Sequence, residues 1–134
     1  MPMPLALRAV LFWFLLFVLA TLNGILREFV LRPWIGPTAQ PVSSLTLVAL
    51  LAVAIFIFVR ANAPLSMAQA WLLGGAWLVL TLGAETLIGM KFGRPAGAVI
   101  ATLSWSAIAG GNWIALAYVF VAVAPSIFTS LRRR

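Results

Sequence analysis

Leu5–Leu26 is an apolar stretch of bilayer-crossing length whose only charge is Arg8. A helix needs about 20 mostly apolar residues to cross the hydrocarbon of a membrane. The pattern returns at Ser43–Val59 and at Met67–Gly89, where Glu85 is the only charged side chain. Away from water the backbone must satisfy its own N–H and C=O groups, so such stretches fold as helices. The chain is 64% hydrophobic and 8% charged, where a soluble domain carries roughly 25% charged residues. Its 134 residues suffice for one compact domain of about four helices. The expectation is an all-α integral membrane bundle of four transmembrane helices, forming a single domain over residues 1–134.

The connections follow from proline and glycine. The first helix can run past Glu28 until Pro33, because the residue before a proline disfavours helix. Arg32–Pro41 carries Pro33, Gly36, Pro37 and Pro41 and reads as a loop, with Trp34 placed as an interfacial aromatic. Ser43 or Ser44 is the expected cap of the second helix, and Ser66 that of the third. Val99–Phe128 as one helix would be about 45 Å long, against roughly 30 Å of hydrocarbon. Gly110, Gly111 and Asn112 interrupt it. The reading is a short interfacial or re-entrant piece over 99–111, then a fourth span over Asn112–Thr129; one long, tilted, kinked helix is the alternative. The N-terminal run exceeds a usual signal-peptide core and lacks a good cleavage site, so it reads as a retained helix.

Net charge is +7. The basic residues Arg8, Arg27, Arg32, Arg60, Lys91, Arg94 and Arg132–Arg134 stand at the ends of apolar runs, not along one face. That distribution flanks a membrane and does not read as a nucleic-acid surface. Four spans put Arg8, Arg60 and the C-terminal triplet on one side and Arg27, Arg32, Lys91 and Arg94 on the other. The triplet tips the balance toward both termini being cytoplasmic. It also suits anionic lipid headgroups, worth about 1 kcal/mol per basic residue. The expected partners are the lipid bilayer and itself or another membrane protein.

Aspartate, histidine and cysteine are absent, and Glu28 and Glu85 are the only acids. This removes thiol chemistry and the commonest metal ligand and general base. No cofactor and no metal are expected. A charge at the centre of a membrane helix costs about 2.5–3.5 kcal/mol on insertion scales, so Glu85 needs a partner. The first and third helices end on the same membrane face. There Asn23, Arg27 and Glu28 meet Thr81 and Glu85 at similar depth. Behind Glu85 the stripe continues through Thr81, Trp77, Gly74 and Ala70, whose small residues favour a facing helix. Arg27–Glu85 reads as an ion pair stapling two helices. A second reading makes the cluster a polar site open to the non-cytoplasmic side, with Arg32, Lys91 and Arg94 around its mouth. A third leaves Glu85 shallow and solvated. Small residues at Ala20, Gly24, Ala70 and Gly74 suit packing within the chain more than between chains. The six tryptophans and Tyr118 read as belt or packing residues.

These residues suggest a non-enzymatic protein, since an arginine beside a carboxylate makes it a poorer base. The leading expectation is a structural or accessory subunit acting by helix packing. The alternative is a small oligomeric carrier or channel for an anion or a proton-coupled solute, using Arg27 and Glu85.

Asn23-Gly24-x-x-Arg27-Glu28, Pro33, Gly36, Ser43/Ser44, Trp77-x-x-x-Thr81-x-x-x-Glu85, Gly93-Arg94, Trp113 and Pro125 resemble the pattern of a group of small bacterial four-helix inner-membrane proteins. The resemblance spans most of the chain and implies the fold; the group is uncharacterised and has no assigned function to carry over. Its members have an acidic, polar segment after the Gly-Arg, whereas Ala96–Ala109 here is apolar and uncharged. Small multidrug exporters fit less well, because no acid precedes Glu28 in the first helix. Fluoride channels fit less well too, since their Thr-Thr-Phe-Ser segment is missing.

Overall fold

The structure is a computed structural model that describes residues 3–132. The described residues form helices and short connections, without a strand. Among the described residues, three helical runs are long and apolar enough to cross a membrane: Leu5–Ala61, Met67–Lys91 and Ile114–Leu131.

The first run folds back on itself. Helix α1 (Leu5–Leu26) widens into a π-turn at Arg27–Leu31, continues as α2 (Arg32–Ile35) and stops at Gly36, where φ is +61°. After a 3₁₀ turn at Gly36–Thr38, α3 (Ala39–Ala61) returns antiparallel to α1. The Arg8 guanidinium donates to Asn62 Oδ1, and the Phe12 and Phe58 rings lie 4.7 Å apart. At the other end Asn23 Nδ2 donates to Ser43 Oγ at 2.8 Å.

The loop expected over Arg32–Pro41 is therefore helical for most of its length. Pro33 and Pro37 both sit in the opening positions of their helical turns. There the missing N–H has no partner to lose and the fixed φ suits the helix. Pro41 occupies the first turn of α3 for the same reason. Gly36 alone makes the reversal, with a positive φ that a side chain resists. Ser43 and Ser44 are accordingly not caps; both are buried inside α3.

Helix α4 (Met67–Lys91) starts at Ser66 as expected. Gln69 N–H donates to Ser66 Oγ at 3.0 Å, and Ser66 N–H donates to Gln69 Oε1 at 2.9 Å, a reciprocal capping box. It runs parallel to α1: Trp77 Nε1 donates to Ala9 O at 2.9 Å, and Trp13 Nε1 to Thr81 Oγ1 at 3.0 Å.

Residues 99–111 are not part of one long helix. They form two short turns, α5 (Ala98–Ala101) and α6 (Trp105–Ala109), then break at Gly110 and Gly111, the latter with φ of +97°. Helix α7 (Ile114–Arg132) follows, and Asn112 Oδ1 accepts from Ile114 N–H at 3.3 Å just before it. Of the basic triplet, Arg132 closes α7, while residues 133 and 134 lie outside the described residues.

Helix α7 packs along α4 and α3. Against α4 the approach is close: a Cβ on Gly74 would stand 2.0 Å from the Ala122 carbonyl oxygen. It runs parallel to α3, with Gln40 Nε2 donating to Asn112 Oδ1 at 2.8 Å near one end and Phe56 against Phe128 near the other. So α1 and α4 point one way, α3 and α7 the other. Trp13, Leu51, Ile55, Phe58, Trp77 and Val121 fill the centre. Leucine, valine and phenylalanine on the outer faces remain exposed, including Phe14, Val53, Leu72, Val79 and Leu87.

Candidate functional site

The candidate site lies where α1 and α4 end and α3 and α7 begin. Three local devices build it. At the end of α1 the Arg27 side chain lies over Gly24, its Nη2 3.7 Å from where a Cβ would stand, an ordinary contact. At the end of α4 the chain closes in a Schellman turn. Gly93 N–H donates to Met90 O at 3.0 Å and Arg94 N–H to Gly89 O at 2.9 Å, with Gly93 at φ +86°. This turn folds the Arg94 side chain back over Gly89. At the start of α7, the Gln40–Asn112 hydrogen bond ties that end to α3.

Between these ends is a cleft of about 400 Å³, lined by Asn23, Arg27, Thr81, Glu85, Arg94 and Tyr118 among others. Its walls below the polar groups are apolar, with Leu16, Leu51 and Val121 among them. One helical turn beyond, Phe12, Phe58 and Trp77 pack with ring centroids 4.7–5.7 Å apart and close the bundle. These rings do not line the cleft; they pack beyond its apolar walls, toward the other end of the bundle.

Four of the five residues of the expected cluster share this cleft: Asn23, Arg27, Thr81 and Glu85. Glu28 does not line it. Of the expected mouth, Arg94 lines the cleft, while Arg32 and Lys91 are exposed outside it.

The expected Arg27–Glu85 ion pair is not formed. Arg27 Nε donates to Glu28 Oε1 at 3.1 Å, and Arg32 grips the same carboxylate at 2.9 and 3.1 Å. Glu85 Oε2 accepts instead from the Tyr118 hydroxyl. The physical reason is solvation. Glu28 meets both guanidiniums on the rim, where Glu28 and Arg32 stay exposed and keep much of their water. A neutral phenol satisfies the half-buried Glu85 without desolvating a second ion.

The stripe read along α4 is tied down at each polar position, because Trp77 and Thr81 bond to α1 and Glu85 to α7. Asn23 is 4% exposed. Its Nδ2 donates to Ser43 O at 3.0 Å and to Ser43 Oγ, while its Oδ1 is buried without a hydrogen-bond partner.

Tyr118, Gln40 and Asn112 escaped sequence reasoning as site residues. Tyr118 read as a belt or packing aromatic, yet it is the only tyrosine in the sequence. A tyrosine inside an apolar helix carries a hydroxyl that needs a partner once buried, which was the available signal. Gln40 fell in the supposed loop and Asn112 in the supposed breaker.

No protein-family model, curated protein or solved structure matches this chain.

Chemically, the cleft offers two guanidiniums, one carboxyl group, amides and hydroxyls above an apolar floor. Such a set supplies both donors and acceptors to whatever polar group enters the cleft.

Proposed function

We propose that the chain is a four-span protein of the bacterial inner membrane, with cytoplasmic termini, and that it works as a small oligomeric carrier for a polar solute. The observation that carries this reading is the cleft, which gathers Asn23, Arg27, Glu85, Arg94 and Tyr118 at one end of an otherwise apolar bundle. Polar and ionisable groups inside a membrane are expensive and mark solute or proton paths. The ring cluster packed beyond the cleft suits a carrier closed on one side. Four spans are supported by the reversal at Gly36: the 57 residues of Leu5–Ala61 would reach about 85 Å as one straight helix, far beyond roughly 30 Å of hydrocarbon. Membership of the small bacterial four-helix group is part of the same proposal. The cleft works by binding and passage, without catalysis.

The test is flux in proteoliposomes containing this chain alone and a pH-sensitive dye. Chloride, phosphate and leucine are added outside, each with a tracer. Uptake of one of them, lost in Glu85→Gln and Arg94→Gln, supports the carrier. No uptake of any, and no proton movement, overturns it.

The second reading is the accessory subunit. It is favoured by an apolar groove of about 300 Å³ between α1 and α4, lined by Leu5, Ala9, Val10, Leu72 and Ala76, which fits a partner's membrane helix. Flux from vesicles holding only this chain separates the two readings.

A further inference from the structure

The carrier reading leaves the solute's chemistry open, and the hydrogen-bond ledger of the cleft narrows it. Among the described residues the Arg94 guanidinium has no hydrogen bond and no ion pair, although it lines the cleft. Arg27 engages only Nε, on Glu28. Two guanidiniums therefore face the same space with donors to offer, and a guanidinium selects carboxylate and phosphate oxygens.

The acceptors are equally specific. Asn23 Nδ2 is engaged twice by Ser43, which fixes which end of the amide is which. The other end, Oδ1, is a buried acceptor with no donor. A buried acceptor left unpaired is costly, so native proteins rarely keep one without a ligand or water to fill it. Glu85 offers Oε1, since Tyr118 takes Oε2. Gln40 offers Oε1, since its amide nitrogen is held by Asn112.

A simple anion would satisfy the arginines and leave the buried Asn23 Oδ1 without a donor. A simple cation would do the reverse, beside two guanidiniums that repel it. We propose, resting on the carrier reading, that the cleft binds a zwitterion: a carboxylate or phosphate held by Arg94 with Arg27, and on the same molecule an ammonium held by Asn23 Oδ1 and Glu85. Leu16, Leu51 and Val121 below would receive a short apolar side group. Two sources carry this chemistry, a free aliphatic amino acid and the head of phosphatidylethanolamine.

The experiment uses the full chain in nanodiscs of phosphatidylcholine, whose quaternary ammonium donates no hydrogen bond. Thermal stabilisation and calorimetric binding are read for three probes of one skeleton: leucine, 4-methylpentanoate, which lacks the amine, and 3-methylbutylamine, which lacks the carboxylate. Leucine should bind at least about tenfold more tightly than either half, the factor that one well-placed charged hydrogen bond supplies. Arg94→Gln, at an exposed position that spares the fold, should remove that preference. Asn23→Ala should remove the advantage of leucine over 4-methylpentanoate, while Ser43→Ala, which removes the Oγ acceptor and leaves Nδ2 bonded to the backbone carbonyl of residue 43, should keep it. Discs containing phosphatidylethanolamine assign the source. Suppressed leucine binding there identifies the lipid head as the zwitterion, and unchanged binding identifies the free amino acid. If the monoanion or the amine alone binds as tightly as leucine, the zwitterion is overturned and the carrier stands. If none of the three probes binds and phosphatidylethanolamine does not stabilise the protein, the zwitterion is overturned, while the carrier stands or falls on the flux of chloride, phosphate and protons.

Discussion

Gly74 and Gly75 are neighbours in sequence and opposites in surroundings. A Cβ on Gly74 would stand 2.0 Å from the Ala122 carbonyl oxygen, whereas a Cβ on Gly75 meets nothing within 4 Å. Backbone cannot swing aside as a side chain can. Gly74→Ala should push α4 from α7 and cost about 1–3 kcal/mol, seen as a lower melting temperature in detergent. Gly75→Ala should leave it unchanged or raise it, because alanine is the better helix former. Equal effects of the two would show that α4 and α7 do not approach at Gly74. Glu85 supports a second prediction at this scale. Its hydrogen bond runs to Tyr118, while Arg27 serves Glu28. In a double-mutant cycle on stability, Glu85→Gln with Tyr118→Phe should couple by about 0.5–3 kcal/mol, as contacting residues do. Glu85→Gln with Arg27→Gln should couple far less. The opposite ranking would restore the Arg27–Glu85 staple.

Helix α4 is the element that the sequence punctuates best, and both of its ends can be tested. Its start is the Ser66–Gln69 capping box, so Ser66→Ala should cost about 1 kcal/mol by stranding N-terminal N–H groups. Thermal unfolding checks this, and an unchanged melting temperature would mean the cap contributes nothing. Its end is the Schellman turn through Gly93 at φ +86°. A left-handed conformation costs a residue with a side chain about 1–2 kcal/mol. Gly93→Ala should therefore loosen the last turn and, because that turn holds Arg94 over Gly89, weaken leucine binding along with stability. Lys91→Gln should change neither, since Lys91 lies outside the cleft. Loss of stability without loss of binding would uncouple Arg94 from the turn.

At the scale of the whole molecule, the pairing of α1 with α4 and of α3 with α7 in opposite directions puts the ends of α1 and α4 together. On the four-span reading, reporters fused to either terminus should report the same side, and a reporter inserted after Gly36 the other. Termini on opposite sides would sink that reading. Much of this was legible in the sequence. The apolar stretches fixed helices because backbone in hydrocarbon has no alternative partner, and the lone Glu85 in such a stretch marked a place needing company. Ser66 announced a helix start by its own side-chain chemistry. Other parts were not legible. Proline reads as a breaker, yet Pro33, Pro37 and Pro41 all fall in first turns, and only the register of those turns decides which meaning applies. Arg27 had two carboxylates within its reach along the chain and across the bundle. Depth and helical spacing alone do not choose between them; exposure does, and exposure exists only once four helices have packed. Tyr118 lies 33 residues from Glu85, and no local pattern joins them. The sequence by itself thus determined the helices and where polar groups interrupt them, because both follow from each residue's own solvation. Which polar groups meet, which stay unpaired and where a cleft remains were decided by the tertiary structure, because they depend on how α7 seats between α3 and α4.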